Sequence, residues 1–205
     1  MLTKRYKPLL ERWLKPLATR LARSGVHPST ITLAGPLFVS LACLFLLRTR
    51  AVLPFCAAVT AAGCLDGLDG AVARAGGRVT KVGAYLDAMA DRYVEAIVAL
   101  SVSSVTGYWL LVTLVLAGSL LVSYAKARAA MEVAVSNVEW PDLMERTERG
   151  MLFLIGLAAG VLIPWRPWGR DLFWWTLVLL AILIHATLVQ RVLRACRLIL
   201  ERDVH

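Results

Sequence analysis

Four aspartates, Asp66, Asp69, Asp87 and Asp91, stand within 26 residues of otherwise apolar sequence, DGLDGAVARAGGRVTKVGAYLDAMAD. Spacings of three and four residues put each pair on one face of a helix. Two such pairs on neighbouring helices would build a cage of four carboxylates. Carboxylates in a membrane-like setting are costly unless something answers their charge, and they mark functional positions facing a cavity or a partner. The counter-ion these hard oxygen donors suit best is Mg²⁺ or Mn²⁺. Two such ions about 3.5–4 Å apart can clamp a diphosphate and polarise the attacking and leaving oxygens. A purely structural role, pairing with Arg74, Arg78, Lys81 and Arg92, would not repay the burial of four acids.

These residues must be positioned by helices that cross a bilayer. The 205 residues are 59% hydrophobic, the mean hydropathy is positive, and apolar runs of about 20 residues recur, long enough to span a membrane. The expected fold is an all-α integral membrane protein with six transmembrane helices, over about 30–48, 52–73, 82–105, 108–130, 146–163 and 171–195. An N-terminal interfacial amphipathic helix precedes them: Leu9, Leu10, Trp13, Leu14, Leu17 and Leu21 share a face, with lysines and arginines around the rest. The opening segment has no continuous apolar core of a signal peptide, so insertion is expected to rely on the later spans. One domain is expected over 1–205, with residues 1–26 as the interfacial helix and 27–200 as the six-helix bundle. Ser29 or Thr30 is expected to cap the first span, and Gly76-Gly77 to turn the chain between the two carboxylate pairs.

The net charge of +9 gathers at helix ends and suits a membrane surface and phosphorylated substrates, not nucleic acid. All but four of the 23 basic residues fall on one side of the six-span arrangement, the exceptions being Arg48, Arg50, Arg166 and Arg170. The positive-inside rule then puts both termini, the carboxylates and the 131–143 loop in the cytoplasm, and WRPWGR at 165–170 at the opposite interface. The expected location is the cell (inner) membrane, multi-pass. Cys43, Cys56, Cys64 and Cys196 read as small hydrophobes. His27, His185 and His205 lack ligand spacing and read as interfacial or core residues.

The pattern D-x-x-D-G-x-x-A-R-x8-G-x3-D-x3-D is met at Asp66, Asp69, Gly70, Ala73, Arg74, Gly83, Asp87 and Asp91. It resembles the signature of the class I CDP-alcohol phosphatidyltransferases. That resemblance implies displacement at the lipid-linked phosphorus of a CDP-lipid, CDP-diacylglycerol or CDP-archaeol, by an alcohol hydroxyl, with release of CMP. It implies two metal ions held by Asp66, Asp69, Asp87 and Asp91, with Asp91 also the general base. Arg74 corresponds to the diphosphate-binding arginine, Gly70 and Gly83 to places where helices and nucleotide approach closely, and Thr80 to a threonine near the CDP-lipid. Ser29, Thr30, Ile31 and Thr32, in P-S-T-I-T, look like the segment on the nucleotide side. A homodimer is also implied.

The acceptor alcohol must be read from the second half. Lys126, Arg128, Arg146, Arg149 and Arg191 lie at expected cytoplasmic helix ends, where converging cations suit a phosphorylated acceptor. Their segments resemble those of phosphatidylinositol-phosphate synthases and the archaeal-lipid counterparts, which makes inositol phosphate the favoured acceptor. The segment 129–144 lacks the glycine-rich character of those synthases and carries Glu132, Glu139 and Asp142, so glycerol 3-phosphate stands as an alternative. A divalent-cation transporter would also place carboxylates in membrane helices. A transport path, however, would need polar residues through the last two spans. A prenyltransferase would need a longer chain and two separated aspartate motifs.

Overall fold

In the computed structural model, residues 19–20, 28–75, 80–133 and 143–203 are described, and among them there are helices and no strands. Residues 19 and 20 are helical; the rest of the expected interfacial helix, and the Gly76-Gly77 turn, lie outside the described residues. Six helices follow: α1 (Pro28–Thr49), α2 (Val52–Ala75), α3 (Lys81–Thr106), α4 (Trp109–Glu132), α5 (Arg146–Leu162) and α6 (Leu172–Asp203). Their bounds fall within a few residues of the six expected spans, except that α6 runs on to Asp203. Trp109–Glu132 and Leu172–Arg202 are long and apolar enough to cross a membrane, and Ala34–Thr49 and Val52–Gly63 are shorter apolar stretches. The backbone divides into two compact units, Met1–Gly107 and Tyr108–His205.

In the first unit α1 packs against both α2 and α3. Its buried stripe is Val39, Ala42, Cys43 and Leu46, at the i, i+3, i+4, i+7 spacing of one helix face. Leu37, Leu41, Leu44 and Leu47 are nevertheless exposed. A helix apolar on every side that buries only one of them has its remaining faces suited to lipid. Two residues, Arg50 and Ala51, separate α1 from α2. Arg50 takes a left-handed φ of 54°, its N–H closes on Leu46 O at 2.8 Å, and its guanidinium donates to Val105 O at 3.5 Å. So short a joint between packed helices makes α1 and α2 antiparallel. The Cys43 thiol lies within hydrogen-bond reach of Ser101. Together with the Arg50–Val105 contact, this shows α1 and α3 advancing in the same direction.

Helix α1 begins at Pro28, so Ser29 and Thr30 sit in its first turn and do not cap it; a proline loses nothing there, because its missing N–H has no partner in a first turn. Cys43 and Cys56 are buried, as small hydrophobes are, whereas Cys196 is exposed.

The second unit is held on α6, which packs against α4 and α5. Glycines bring the helices close. A Cβ on Gly118 of α4 would stand 2.7 Å from Ile184 Cγ2 and 3.0 Å from His185 Cε1, and one on Gly160 of α5 would stand 2.8 Å from Phe173 Cβ. Gly156, one turn before Gly160, is seated directly on Thr176. Gly156 and Gly160 form the small-xxx-small spacing by which membrane helices approach each other. Phe153 meets Phe173 edge to face at 5.3 Å. Gly156 against Thr176 and Gly160 against Phe173, across a short connection, make that pair antiparallel. Gly118 against Ile184 and Val122 against Arg191 make α4 and α6 parallel. His185 is half-buried, with Nδ1 2.8 Å from Ala181 O, which is the core role expected of it.

At one end of this unit Asp171 ties the helix starts together. Its Oδ1 accepts the Trp174 N–H at 2.9 Å, and its Oδ2 accepts the Tyr108 hydroxyl at 2.7 Å. At the other end α5 opens with a reciprocal acid pair, Glu148 Oε2 accepting the Glu145 N–H at 2.9 Å. Gly156→Leu should drive a branched chain into Thr176 and lower stability by about 1–3 kcal/mol. Thermal unfolding in detergent measures this; an unchanged midpoint would mean that α5 and α6 can part without loss.

Candidate active site

The carboxylate motif lies wholly in the first unit. Asp66 and Asp69 are in the second half of α2, and Asp87 and Asp91 in the first turns of α3. Because α2 runs against α1 while α3 runs with it, the end of α2 and the start of α3 point to the same end. At ~1.5 Å per residue, Asp66 and Asp69 are ~22–27 Å along α2 from Ala51, and Asp91 and Asp87 are ~21–27 Å back along α3 from Val105. The two pairs therefore fall within about one helical turn of each other in height. The first turn of α1, holding Ser29, Thr30, Ile31 and Thr32, starts from that same end. The side chains of Ser29 to Thr32, Asp66, Asp69, Gly70 and Arg74 lie outside the described residues.

Asp87 and Asp91 are half-buried. Arg92 stands between two acids, with Nη2 3.7 Å from Asp91 Oδ2 and Nη1 3.5 Å from Glu95 Oε2. These are ion-pair distances, longer than hydrogen bonds. Glu95 was not among the expected site residues, although the spacing announces it: Asp87, Asp91 and Glu95 recur every four residues along one side of α3. An acid one turn beyond the motif, in a helix of this kind, needs the cation that Arg92 supplies.

Thr80 is the N-cap of α3. Its backbone is extended (φ −125°, ψ 151°) and its hydroxyl accepts the Gly83 N–H at 3.0 Å. A Cβ on Gly83 would lie 3.0 Å from that hydroxyl oxygen, so Gly83 admits the cap as well as any approaching ligand. The Thr80 hydroxyl keeps its own proton to donate. The cap fixes where α3 begins, and with it the turn from which Asp87 projects.

The expected acceptor cations lie in the second unit, and they divide by surroundings. Arg149 and Arg191 are buried, 6% and 7% exposed. Arg149 Nη1 donates to Met144 O at 3.4 Å, and Arg191 Nη1 donates to Val122 O. Leu143 N–H donates to Gln190 Oε1 at 3.2 Å. These contacts bring the second half of α4, the start of α5 and the region of α6 around Arg191 to one end of the unit. Lys126 and Arg146, both half-buried, fall at that end too. Arg128 is different: it is exposed and paired with Glu132 on its own helix.

Among the described residues no three His, Cys, Asp or Glu side chains come together. Asp87 and Asp91 stand one turn apart on α3, and their oxygen chemistry fits a hard divalent ion; the backbone brings Asp66 and Asp69 to about the same height.

Residues 25–189 match the model of the CDP-alcohol phosphatidyltransferase family. The chain belongs to that family, and it is an enzyme of the phosphatidyltransferase class. It is 34% identical over 193 residues to the archaetidylinositol phosphate synthase of Methanothermobacter thermautotrophicus, covering 92% of this chain and 91% of that one. Its backbone is similar to the crystal structure of Mycobacterium tuberculosis phosphatidylinositol phosphate synthase with CDP-DAG bound, with a TM-score of 0.78 and 28% identity over 90% of this chain and 94% of that chain. The same mycobacterial enzyme in complex with manganese and citrate gives a TM-score of 0.77 at 27% identity, over 89% of this chain and 88% of that chain. Family membership sets aside the transporter and prenyltransferase alternatives.

Thr80→Val should loosen the start of α3 by about 1 kcal/mol, and Thr80→Ser should restore it. Hydrogen exchange of the α3 amides reads this directly, and equal protection in both variants would contradict the capping role.

Proposed function

We propose that this enzyme transfers the phosphatidyl or archaetidyl group of a CDP-lipid to a phosphorylated alcohol, inositol phosphate in the first instance, with release of CMP. The observation that carries the reading is the common height of the two aspartate pairs at the end of α2 and the start of α3. The names of the relatives, an archaetidylinositol phosphate synthase and a phosphatidylinositol phosphate synthase, support inositol phosphate. So does the gathering of Arg149, Arg191, Lys126 and Arg146 at one end of the second unit, since several cations together suit a phosphorylated acceptor.

Asp66, Asp69, Asp87 and Asp91 would hold two Mg²⁺ or Mn²⁺ ions, and the manganese complex of the mycobacterial enzyme supports a divalent ion. When bound, such ions would neutralise diphosphate charge and leave its phosphorus open to attack. Arg74 would clamp the diphosphate with its paired donors, with Gly70 and Gly83 giving the nucleotide room and Thr80 and Ser29 to Thr32 lining its approach. Asp91 would take the proton of the acceptor hydroxyl as the new P–O bond forms and the bond to CMP breaks, with CMP carrying away the electron pair. Arg149 and Arg191, with Lys126 and Arg146, would hold the acceptor phosphate. Arg128, engaged with Glu132, would contribute least.

We further propose one domain of six membrane-crossing helices in the cell (inner) membrane, with the carboxylates and both termini cytoplasmic and a second copy of the chain as partner. The apolar outward faces of α1 and the arginine and lysine distribution support that placement.

Asp69→Asn and Asp91→Asn should each lower CMP release from a CDP-lipid by more than ~100-fold, with thermal unfolding unchanged. Chelation should stop the unaltered enzyme until Mg²⁺ or Mn²⁺ is returned. Substantial turnover by Asp69→Asn would contradict the role given to the pair.

Arg149→Ala and Arg191→Ala should each raise the KM for inositol phosphate roughly 10–100-fold while leaving that for the CDP-lipid near its starting value. Arg128→Ala should change neither much. Equal effects on both substrates would remove the acceptor role, and faster CMP release with glycerol 3-phosphate than with inositol phosphate would transfer it to that alternative.

A further inference from the structure

The connection from α5 to α6 is built to hold aromatic rings outward. Trp168 is 87% exposed and takes a left-handed backbone (φ 51°, ψ 33°), followed by Gly169 at φ 75°. A bulky residue in that region is strained, and such strain persists only where surrounding contacts fix it. Here they do: Trp175 Nε1 donates to Pro167 O at 3.2 Å, the Gly169 and Arg170 N–H groups close on Arg166 O and Pro167 O at 3.1 and 3.2 Å, and Trp168 meets Trp175 at 5.3 Å between ring centres. The product is an apolar slot of about 350 Å³ lined by Trp165, Pro167, Trp168, Leu172 and Trp175.

Two cations flank it. Arg166 and Arg170 are exposed, and the Arg170 guanidinium carbon rests 5.6 Å above the Trp174 ring. Neither arginine is ion-paired with a described carboxylate. The nearby acid, Asp171, already accepts from Tyr108 and from the Trp174 N–H. A tryptophan belt alone would anchor the loop at a bilayer surface. An open apolar hollow with two exposed arginines next to it in the chain does more, because it matches a molecule with an apolar body and an anionic head.

We propose that this loop is a binding site for an acidic phospholipid of the leaflet it faces, with the upper acyl chains in the tryptophan slot and the phosphate between Arg166 and Arg170. The site is independent of the transfer chemistry and rests on the chain crossing a bilayer.

The full-length enzyme in phosphatidylcholine nanodiscs, doped with a small fraction of phosphatidylglycerol carrying brominated acyl chains, tests it through tryptophan quenching. Trp168→Phe isolates the signal of that ring. Brominated phosphatidylglycerol should quench it as though enriched roughly fivefold over random mixing, the attraction expected of an interfacial arginine. Arg166→Gln with Arg170→Gln should return quenching to the random value while leaving CMP release intact. Equal quenching by brominated phosphatidylcholine would reduce the loop to a nonspecific anchor and overturn the proposal. So would loss of the enrichment on adding inorganic phosphate, which would assign the arginines to a free anion. Absence of quenching by any brominated lipid would count against membrane seating of the loop itself.

Discussion

Charge placed among apolar helices has to be answered, and this constraint shapes both units of the chain. On α3 a row of acids, Asp87, Asp91 and Glu95, recurs every four residues. Arg92 answers part of that charge, at 3.7 and 3.5 Å from two of the acids. In the second unit the sign is reversed. Arg149 and Arg191 are buried and donate to the backbone carbonyls of Met144 and Val122.

The scaffold that meets this constraint is economical in its means. Two residues join α1 to α2, a left-handed Gly107 ends α3 (φ 77°, with its N–H on Ser103 O at 2.8 Å), and a threonine cap starts α3. With joints this short, the order of the helices along the chain decides which ends share a level. The common height of the aspartate pairs thus follows from the two-residue joint, the helix rise, and the Cys43–Ser101 and Arg50–Val105 contacts that set α3 beside α1. Where close approach is required instead, in the second unit, glycine supplies it at Gly118, Gly156 and Gly160.

Much of this was legible in the sequence. The six helices fall where runs of apolar residues place them, and two of them, over Trp109–Glu132 and Leu172–Arg202, are long and apolar enough to cross a membrane. The motif from Asp66 to Asp91 could be read from its intervals, and the family match over residues 25–189 agrees with that reading. What escaped were the features whose partner lies far along the chain or whose role depends on a helix boundary. The Tyr108 hydroxyl on Asp171 joins residues 63 apart, and nothing local announces it. Gly156 and Gly160 have the spacing of a packing motif, but which helix they meet is a matter of three dimensions. Arg128 looked equal to Arg149 and Arg191 until its exposed position and its partner Glu132 set it apart. Ser29 and Thr30 were expected to cap α1; Pro28 starts the helix one residue too early for either to do so.

Helix α6 contains neither proline nor glycine between Leu172 and Asp203, so no hinge interrupts it. Trp174 and Trp175 stand near its first turn, and Arg191 lies about 25 Å further on. A rod of this kind carries the indoles and the Arg191 guanidinium on one uninterrupted hydrogen-bonded backbone, so helix rise alone sets the distance between the two ends.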